Sequence, residues 1–252
     1  MLALTHIPSP NLEQCQRTFI APAPIDFGRA LKQHETYCAM LRRCGADVRT
    51  LTVNRDFPDS VFIEDTAVVL DEVAVVCSMG AISRRGEPAG VEPELRKHRA
   101  VQRIELPATI EGGDVLRVGR RLLVGLSART NESGCAGLAA IAGRFGYEVV
   151  AVPVRHCLHL KSACAPLPDG RLLVNPAWLD ATALEEFGLV SILDAEPDAA
   201  NILLLDDRVC LPAAHPRTAE MLQQLGFNVE TIDVSEFAKA EGCVTCLSIL
   251  IT

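Results

Sequence analysis

Residues 111–131 read Glu-Gly-Gly-Asp-Val-Leu-Arg-Val-Gly-Arg-Arg-Leu-Leu-Val-Gly-Leu-Ser-Ala-Arg-Thr-Asn. A polar cluster, Glu111 to Asp114, opens onto a short apolar run, Val115 to Val118. A tight turn at Gly119-Arg120 leads into a second run, Leu122 to Leu126, and the apolar spacing from Asn131 to Gly143 is helical. The same order returns elsewhere in the chain. Glu64-Asp65 precedes Thr66 to Leu70, a turn at Asp71-Glu72, and Val73 to Cys77. His159-Leu-Lys-Ser162 precedes Ala163 to Leu167, a turn at Pro168-Asp169-Gly170, Leu172 to Asn175 and a helix around Ala181 to Phe187. Asn201 to Leu205 turns at Asp206-Asp207 into Val209 to Leu211, with a helix from Arg217 to Leu225. The turn centres lie roughly 35 to 50 residues apart, the repeat length of a radial or stacked array.

An array closes without exposed edges if the chain ends share a fifth unit. The β-rich stretch Cys243 to Ile251 is placed to pair with Leu2 to His6 for that purpose. A helix from Phe27 to Arg43 would belong to the same unit, entered at Ile25-Asp26 and stopped by Gly45. This arithmetic points to an α/β fold, a five-bladed pseudo-symmetric α/β propeller formed by residues 1–252 as one domain. An α/β layered sandwich gives the same periodicity. Residues 11–24, punctuated by prolines and without a clear period, read as a mobile loop that could serve as a lid.

Composition narrows the classes of function. Of 252 residues, 49% are hydrophobic, enough for a sizeable core, and the net charge of −8 offers no basic footprint to nucleic acid or to an anionic membrane surface. No apolar stretch approaches the ~20 residues of a membrane span, and the N-terminus lacks a basic region followed by a long apolar one, so the expectation is a cytoplasmic protein. Several of the ten cysteines sit in apolar runs, where Cys behaves as a small hydrophobe, so reduced thiols are expected rather than a disulfide framework. Cys243 and Cys246 alone have C-x-x-C spacing, without a second ligand pair for structural zinc.

The polar clusters all stand at the entrance to a hairpin. A radial arrangement would therefore gather Asp65, Glu111, His159 and Cys246 near its axis. A thiol, an imidazole and carboxylates in one pocket suit covalent attack on an electrophilic carbon with acid/base help, and the excess of carboxylates suits a cationic substrate.

These residues also carry a resemblance. Phe57-Pro-Asp59-Ser-Val-Phe-Ile-Glu64-Asp65, Glu111-Gly-Gly-Asp114, Ser127-Ala-Arg129-Thr-Asn131, Leu158-His159-Leu-Lys161-Ser162 and Thr245-Cys246-Leu-Ser248, in this order, resemble the dimethylarginine dimethylaminohydrolases of the amidinotransferase-like, or pentein, superfamily. The resemblance covers essentially the whole chain and implies a five-bladed α/β propeller. It implies a hydrolase converting Nω-methylated arginine to citrulline and a methylamine without cofactor or metal. Cys246 becomes the nucleophile, with a covalent thiouronium intermediate, and His159 the acid/base, oriented by Glu111, which a sharp backbone at Gly112-Gly113 would aim inward. Asp59, Glu64 and Asp65 would surround the guanidinium. Arg84 (or Arg85 in its stead) and Arg129 would hold an α-carboxylate, and Glu241, five residues before Cys246, the α-amino group. Because neighbours in a strand face opposite sides, Glu64 and Asp65 can both reach one ligand only where the backbone is irregular.

The partner expected is a small guanidinium compound, with the protein a monomer or homodimer. Zinc captured by Cys246 and His159 would inhibit. An arginine deiminase-type hydrolase or an amidinotransferase is the competing reading, separated by which amine leaves. Those relatives usually carry inserted segments for which this chain has no room. A non-catalytic propeller binding ribosomal surfaces would lack the thiol and imidazole together.

Overall fold

Short runs of Val, Leu and Ile between turn residues set the strands, and the computed structural model describes residues 1–252. The chain opens with β1 (Leu2–His6), crosses through α1 (Phe27–Arg43) and returns in β2 (Asp47–Leu51), parallel to β1. Asp26 caps α1 by accepting the Arg29 amide at 2.9 Å, and Gly45, at φ +84°, follows its end. The first internal unit pairs β3 (Ala67–Val69) antiparallel with β4 (Val73–Val76), then crosses through α2 (Glu87–Leu95) to β5 (Ala100–Arg103), parallel to β4. The second repeats this with β6 (Val115–Val118), β7 (Arg121–Leu126), α3 (Glu132–Ala142) and β8 (Glu148–Pro153).

The third unit is entered by a short α4 (Leu160–Ala163), followed by β9 (Cys164–Pro166) and β10 (Leu172–Val174). It crosses to β11 (Leu189–Ser191) through Ala181–Phe187, which is a 3-10 rather than an α-helix. The fourth contains β12 (Leu203–Leu205), β13 (Arg208–Pro212), α5 (Pro216–Gln224) and β14 (Asn228–Ile232). After a one-turn α6 (Ser235–Ala238), β15 (Ile249–Ile251) pairs antiparallel with β1, with Leu4 opposite Ile249. The chain ends thus complete the terminal unit, and the molecule holds five separate three-stranded sheets.

Burial decides between the two architectures left open by the periodicity. Each apolar cluster is shared by two neighbouring units. Leu4 and Ile249 pack with Ala74 and Val76, while Val73 and Val75 pack with Val115 and Leu122. Leu116 and Leu123 pack with Leu160 and Leu172, Leu173 packs with Val209 and Leu211, and Leu203 and Cys210 pack with Ala3 and Tyr37. The sequence of shared cores closes on itself, so the arrangement is a five-unit ring, the α/β propeller, and not a layered sandwich. No helix is long and apolar enough to cross a membrane.

Two expectations need correction. The third strand of every unit escaped the sequence pattern, because those strands lie at sheet edges with mostly exposed or half-buried residues, as in Asp47–Leu51 and Ala100–Arg103. The stretch Cys243 to Ile251 is not one strand. Only Ile249–Ile251 pairs, and residues 243–248 fold into turns closed by Cys246 N–H to Cys243 O at 3.2 Å and Ser248 N–H to Thr245 O at 3.5 Å. Residues 11–24 contain a single 3-10 turn, Leu12–Gln14, with Leu12 and Cys15 buried beneath.

Candidate active site

Every unit enters the ring by a polar residue just before its first strand, and the backbone there is irregular. A 3-10 turn, Ile63–Thr66, carries Glu64 and Asp65, and another, Gly112–Asp114, follows Glu111. His159 is the N-terminal flank of α4, and Cys246 lies in the turns before β15. Ligand atoms of Asp65, Glu111 and His159 lie within 4.8 Å of one another, all three buried. The Cys246 segment is stitched to this group by the Glu64 amide, which donates to the Cys246 carbonyl at 3.2 Å. The 3-10 turn supplies the irregularity that Glu64 and Asp65 required, yet it sends them to different partners.

His159 Nε2 is 2.9 Å from Glu111 Oε2, and its Nδ1 is 3.8 Å from Asp65 Oδ1. Glu111 is held in turn by the amides of Gly80 and Ala81, at 3.0 and 3.3 Å on Oε1, with Arg129 Nη1 3.6 Å away. Burial alone would lower the imidazole, but the charges of Asp65, Asp114 and Glu111 outweigh it and raise His159 to about 9. The same pairing lowers Asp65 and Glu111 against the burial that opposes it. At neutral pH the resting site therefore holds an imidazolium between carboxylates. Gly112 and Gly113 open the 3-10 turn that follows Glu111, and they also leave space that a side chain would fill. A Cβ on Gly113 would stand 2.6 Å from His159 Nδ1 and 2.7 Å from Asp65 Oδ1, and one on Gly112 2.1 Å from the Glu64 carbonyl oxygen.

Cys246 is half-buried, with its Sγ 3.9 Å from Thr245 Oγ1. Burial pushes its thiol well above the ordinary range, and the Glu64 and Asp65 carboxylates push it further. At rest Cys246 is thus a neutral thiol, and a cation bound beside it would favour the thiolate. Its turn is anchored from two sides. Tyr37, fully buried on α1, donates to the Val244 carbonyl at 2.8 Å and meets Ser248 Oγ at 2.8 Å. Asn201 donates to Thr245 Oγ1 and to the Lys161 carbonyl, both at 3.0 Å, and accepts the Thr245 amide.

Sequence reasoning overlooked Asn201 as a site residue, although it stands at the fourth unit's entrance. Asp114 was likewise passed over within Glu-Gly-Gly-Asp. Fully buried, it accepts the Leu160 amide at 2.9 Å and the Ser127 hydroxyl at 2.6 Å, fixing the backbone beside His159, and burial raises it to about 6.

The expected substrate-binding residues are placed less uniformly. Asp65 faces His159, accepts the Gly113 amide at 3.0 Å and pairs with Arg84 at 2.6 Å. Glu64 pairs with Lys161 at 2.6 Å and leaves a buried Oε2 without a partner. Asp59 accepts the Gln16 amide on both oxygens, at 3.1 and 3.3 Å. Arg84 does not fit the α-carboxylate role. It is buried, and its donors go to Asp65, to both oxygens of Glu87 and to the Phe62 carbonyl, so it braces Asp65. Arg85 is exposed, and Arg129 bonds Thr18 Oγ1 at 3.3 Å. Glu241 does not fit the α-amino role either, since its carboxylate accepts the amides of Thr18, Phe19 and Ile20.

Two side-chain sets have metal-ligand types within reach of one another. In Asp65–Glu111–His159, Arg84 and backbone amides already occupy the carboxylates, and the imidazole is held protonated. In Cys44–Cys210–Glu230, Arg43 and Arg208 pair with the carboxylate, and burial pushes the Cys210 thiol to about 12. Both donor sets suit ion-pair networks better than open coordination sites.

Residues 11–162 match the sequence profile of the eukaryotic N,N dimethylarginine dimethylhydrolase family. The N(G),N(G)-dimethylarginine dimethylaminohydrolase of Streptomyces coelicolor is 40% identical over 98% of this chain and 95% of its own. That of Pseudomonas aeruginosa is 36% identical over 89% of each. A Cys-to-Ser mutant of a P. aeruginosa enzyme of this kind, complexed with citrulline, superposes with a TM-score of 0.93 at 33% identity, covering 98% of this chain and 97% of that one. A dimethylarginine dimethylaminohydrolase bearing an S-methyl-L-thiocitrulline adduct gives the same TM-score, 0.93, over 98% of both chains.

Proposed function

This chain belongs to the dimethylarginine dimethylaminohydrolase family and is a hydrolase converting dimethylarginine to citrulline through a covalent cysteine intermediate; we propose that Cys246 is the nucleophile, His159 the acid/base and Glu111 its orienter. The observation that carries this reading is the meeting of Asp65, Glu111 and His159 within 4.8 Å, with the Cys246 backbone bonded to the Glu64 amide.

The resting charges give the order of events. With Cys246 neutral and His159 protonated, a guanidinium entering beside Asp65 and Glu64 brings a positive charge to the thiol, which loses its proton to solvent. The Cys246 thiolate attacks the guanidinium carbon, forming a C–S bond. As that tetrahedral species collapses, the substituted nitrogen takes the His159 proton, its C–N bond breaks, and the amine departs. A planar thiouronium remains on Cys246. Now neutral, His159 removes a proton from water, the hydroxide adds to the same carbon, and the C–S bond breaks to release the ureido product. Imidazole suits both duties because the carboxylates hold its proton only until a better base is generated in front of it.

Asp65 and Glu64 bind the guanidinium in this proposal, Arg129 meets the α-carboxylate, and Asp59 and Arg84 shape the pocket from behind. Monomethylarginine follows the same course with methylamine leaving. All site residues come from one chain, so a monomer and a homodimer serve equally, and the buried thiols Cys77, Cys164 and Cys210 suit the reducing cytoplasm. The test is mass spectrometry of the protein incubated with asymmetric dimethylarginine, beside Cys246→Ser and plain arginine. Citrulline and dimethylamine that vanish in the variant are expected. Ammonia from arginine, with dimethylarginine untouched, would replace this reading by the deiminase one.

A further inference from the structure

Glu241 occupies a position where local backbone chemistry favours glycine. Following the single turn of α6, the Gly242 amide bonds back to the Phe237 carbonyl at 2.9 Å and the Glu241 amide to the Ala238 carbonyl at 3.1 Å, while Glu241 itself adopts φ +60°. Helix ends of this left-handed kind usually place glycine at that residue, because a Cβ is disfavoured there. The side chain present instead reaches across more than two hundred residues of sequence. One Glu241 carboxylate oxygen accepts the Thr18 amide at 2.9 Å, and the other accepts the amides of Phe19 and, at 2.8 Å, Ile20. Three successive backbone donors converge on one carboxylate.

The segment so held touches the site. Its Gln16 amide bonds Asp59, and Thr18 Oγ1 receives Arg129, which is itself 3.6 Å from Glu111. Beside it, Arg17 donates to the Lys239 carbonyl at 2.8 Å, so residues 16–20 are fastened almost wholly by hydrogen bonds. Apolar packing adds little, for Phe19 and Ile20 are 50% and 40% exposed. A cavity of about 290 Å³ adjoins the segment, walled by Phe19, Ile20, Glu241 and Cys243 and by Leu158 and Ser162 on either side of His159. Neither Cys246 nor His159 lines it. Phe19, Ile20 and Glu241 thus share the wall of one cavity, while Gln16 and Thr18 beside them are bonded to Asp59 and Arg129.

We infer that Glu241 is a positioning residue that latches residues 18–20 over the substrate pocket and sets how fast ligand enters and product leaves. The inference rests on the catalytic reading above for its link to KM, but the latch itself is readable without turnover. Glu241→Gly isolates it, because glycine relieves the backbone at φ +60° while deleting the carboxylate. A side chain present for stability would lower Tm on removal; a latch would leave Tm unchanged or raised.

The experiment compares wild type, Glu241→Gly and Glu241→Gln for native-state trypsin cleavage after Arg17, for Tm, for citrulline dissociation by stopped flow, and for kcat and KM. Cleavage and citrulline release about tenfold faster in Glu241→Gly, with Tm held, are expected. KM should rise about tenfold with kcat within about twofold, and Glu241→Gln, which keeps one acceptor oxygen, should fall between. Cleavage and release at wild-type rates in both variants overturn the latch, and so does acceleration that appears only with a fall in Tm. Faster cleavage in a protein that does not turn over dimethylarginine would sustain the latch and remove the substrate reading instead.

Discussion

The strands that deliver the proposed catalytic cluster also deliver a second set of charges at their opposite ends, and the two sets behave differently. At the hairpin tips Arg117 forms a bidentate pair with Asp71, at 2.7 Å for each bond, and Arg120 pairs with Glu72 at 2.7 Å, all partly exposed. At the entrances Arg84–Asp65 and His159–Glu111 have similar lengths, 2.6 and 2.9 Å, but their side chains are no more than 4% exposed. Glycine divides in the same way. Gly119 at a tip has φ +60° and empty space around it, whereas Gly113 at an entrance is needed because His159 and Asp65 leave no room for a Cβ. Identical residue types therefore solvate and turn the chain at one end, and set protonation states at the other. Burial makes the difference, since charges out of water interact strongly enough to hold His159 protonated up to about pH 9.

Substitutions at the two ends should separate accordingly. Cys246→Ser removes the proposed nucleophile and is expected to lower kcat by at least about a thousandfold, with an unchanged far-UV circular dichroism spectrum. His159→Asn, which keeps a hydrogen bond but no titratable group, should lower kcat by roughly 10²–10⁴, measured by citrulline release. Glu111→Gln removes one of the charges that raise His159. The alkaline limb of kcat/KM, expected near pH 9 in the wild type, should then move toward 6.5. The same raised pKa gives a stability contribution that is full below about pH 6.5 and is lost as pH climbs through about 9, so wild-type Tm should fall across that window more than that of His159→Asn.

Asn201→Ala strands the Thr245 amide and the Lys161 carbonyl, for a loss of about 1–3 kcal/mol in urea unfolding and a smaller fall in kcat than either catalytic variant. At the tips, Arg117→Ala should cost no more than about 1 kcal/mol and leave kcat and KM alone. A large catalytic effect there would break the contrast between the two ends.

How much of this was legible beforehand follows the same division. Hairpins were readable because each couples a polar entrance, two short apolar runs and a turn. Val115 to Leu126 reads as β6 and β7 almost residue for residue. The parallel third strands were not, since a half-exposed edge such as Asp47–Leu51 carries no period of its own and is defined only by pairing with β1. Asp65, Glu111 and His159 could be grouped from their shared place in the repeat, and the same logic applied to Asn201 would have found it. Arg84 and Glu241 were misplaced for a physical reason: sequence shows that a charge is available, not which buried partner takes it first. Glu87 claims Arg84 and the amides of residues 18–20 claim Glu241, contacts set by α2 and by a chain crossing no local pattern encodes.

The central claim is that a thiol at one entrance attacks carbon while a charged imidazole at another supplies the proton. Rapid mixing with asymmetric dimethylarginine, acid quench and peptide mapping of residues around Cys246 tests it most directly. A thiouronium adduct on Cys246 that rises before citrulline and decays with it is the expected result, and citrulline accumulating while Cys246 stays unmodified throughout would contradict it.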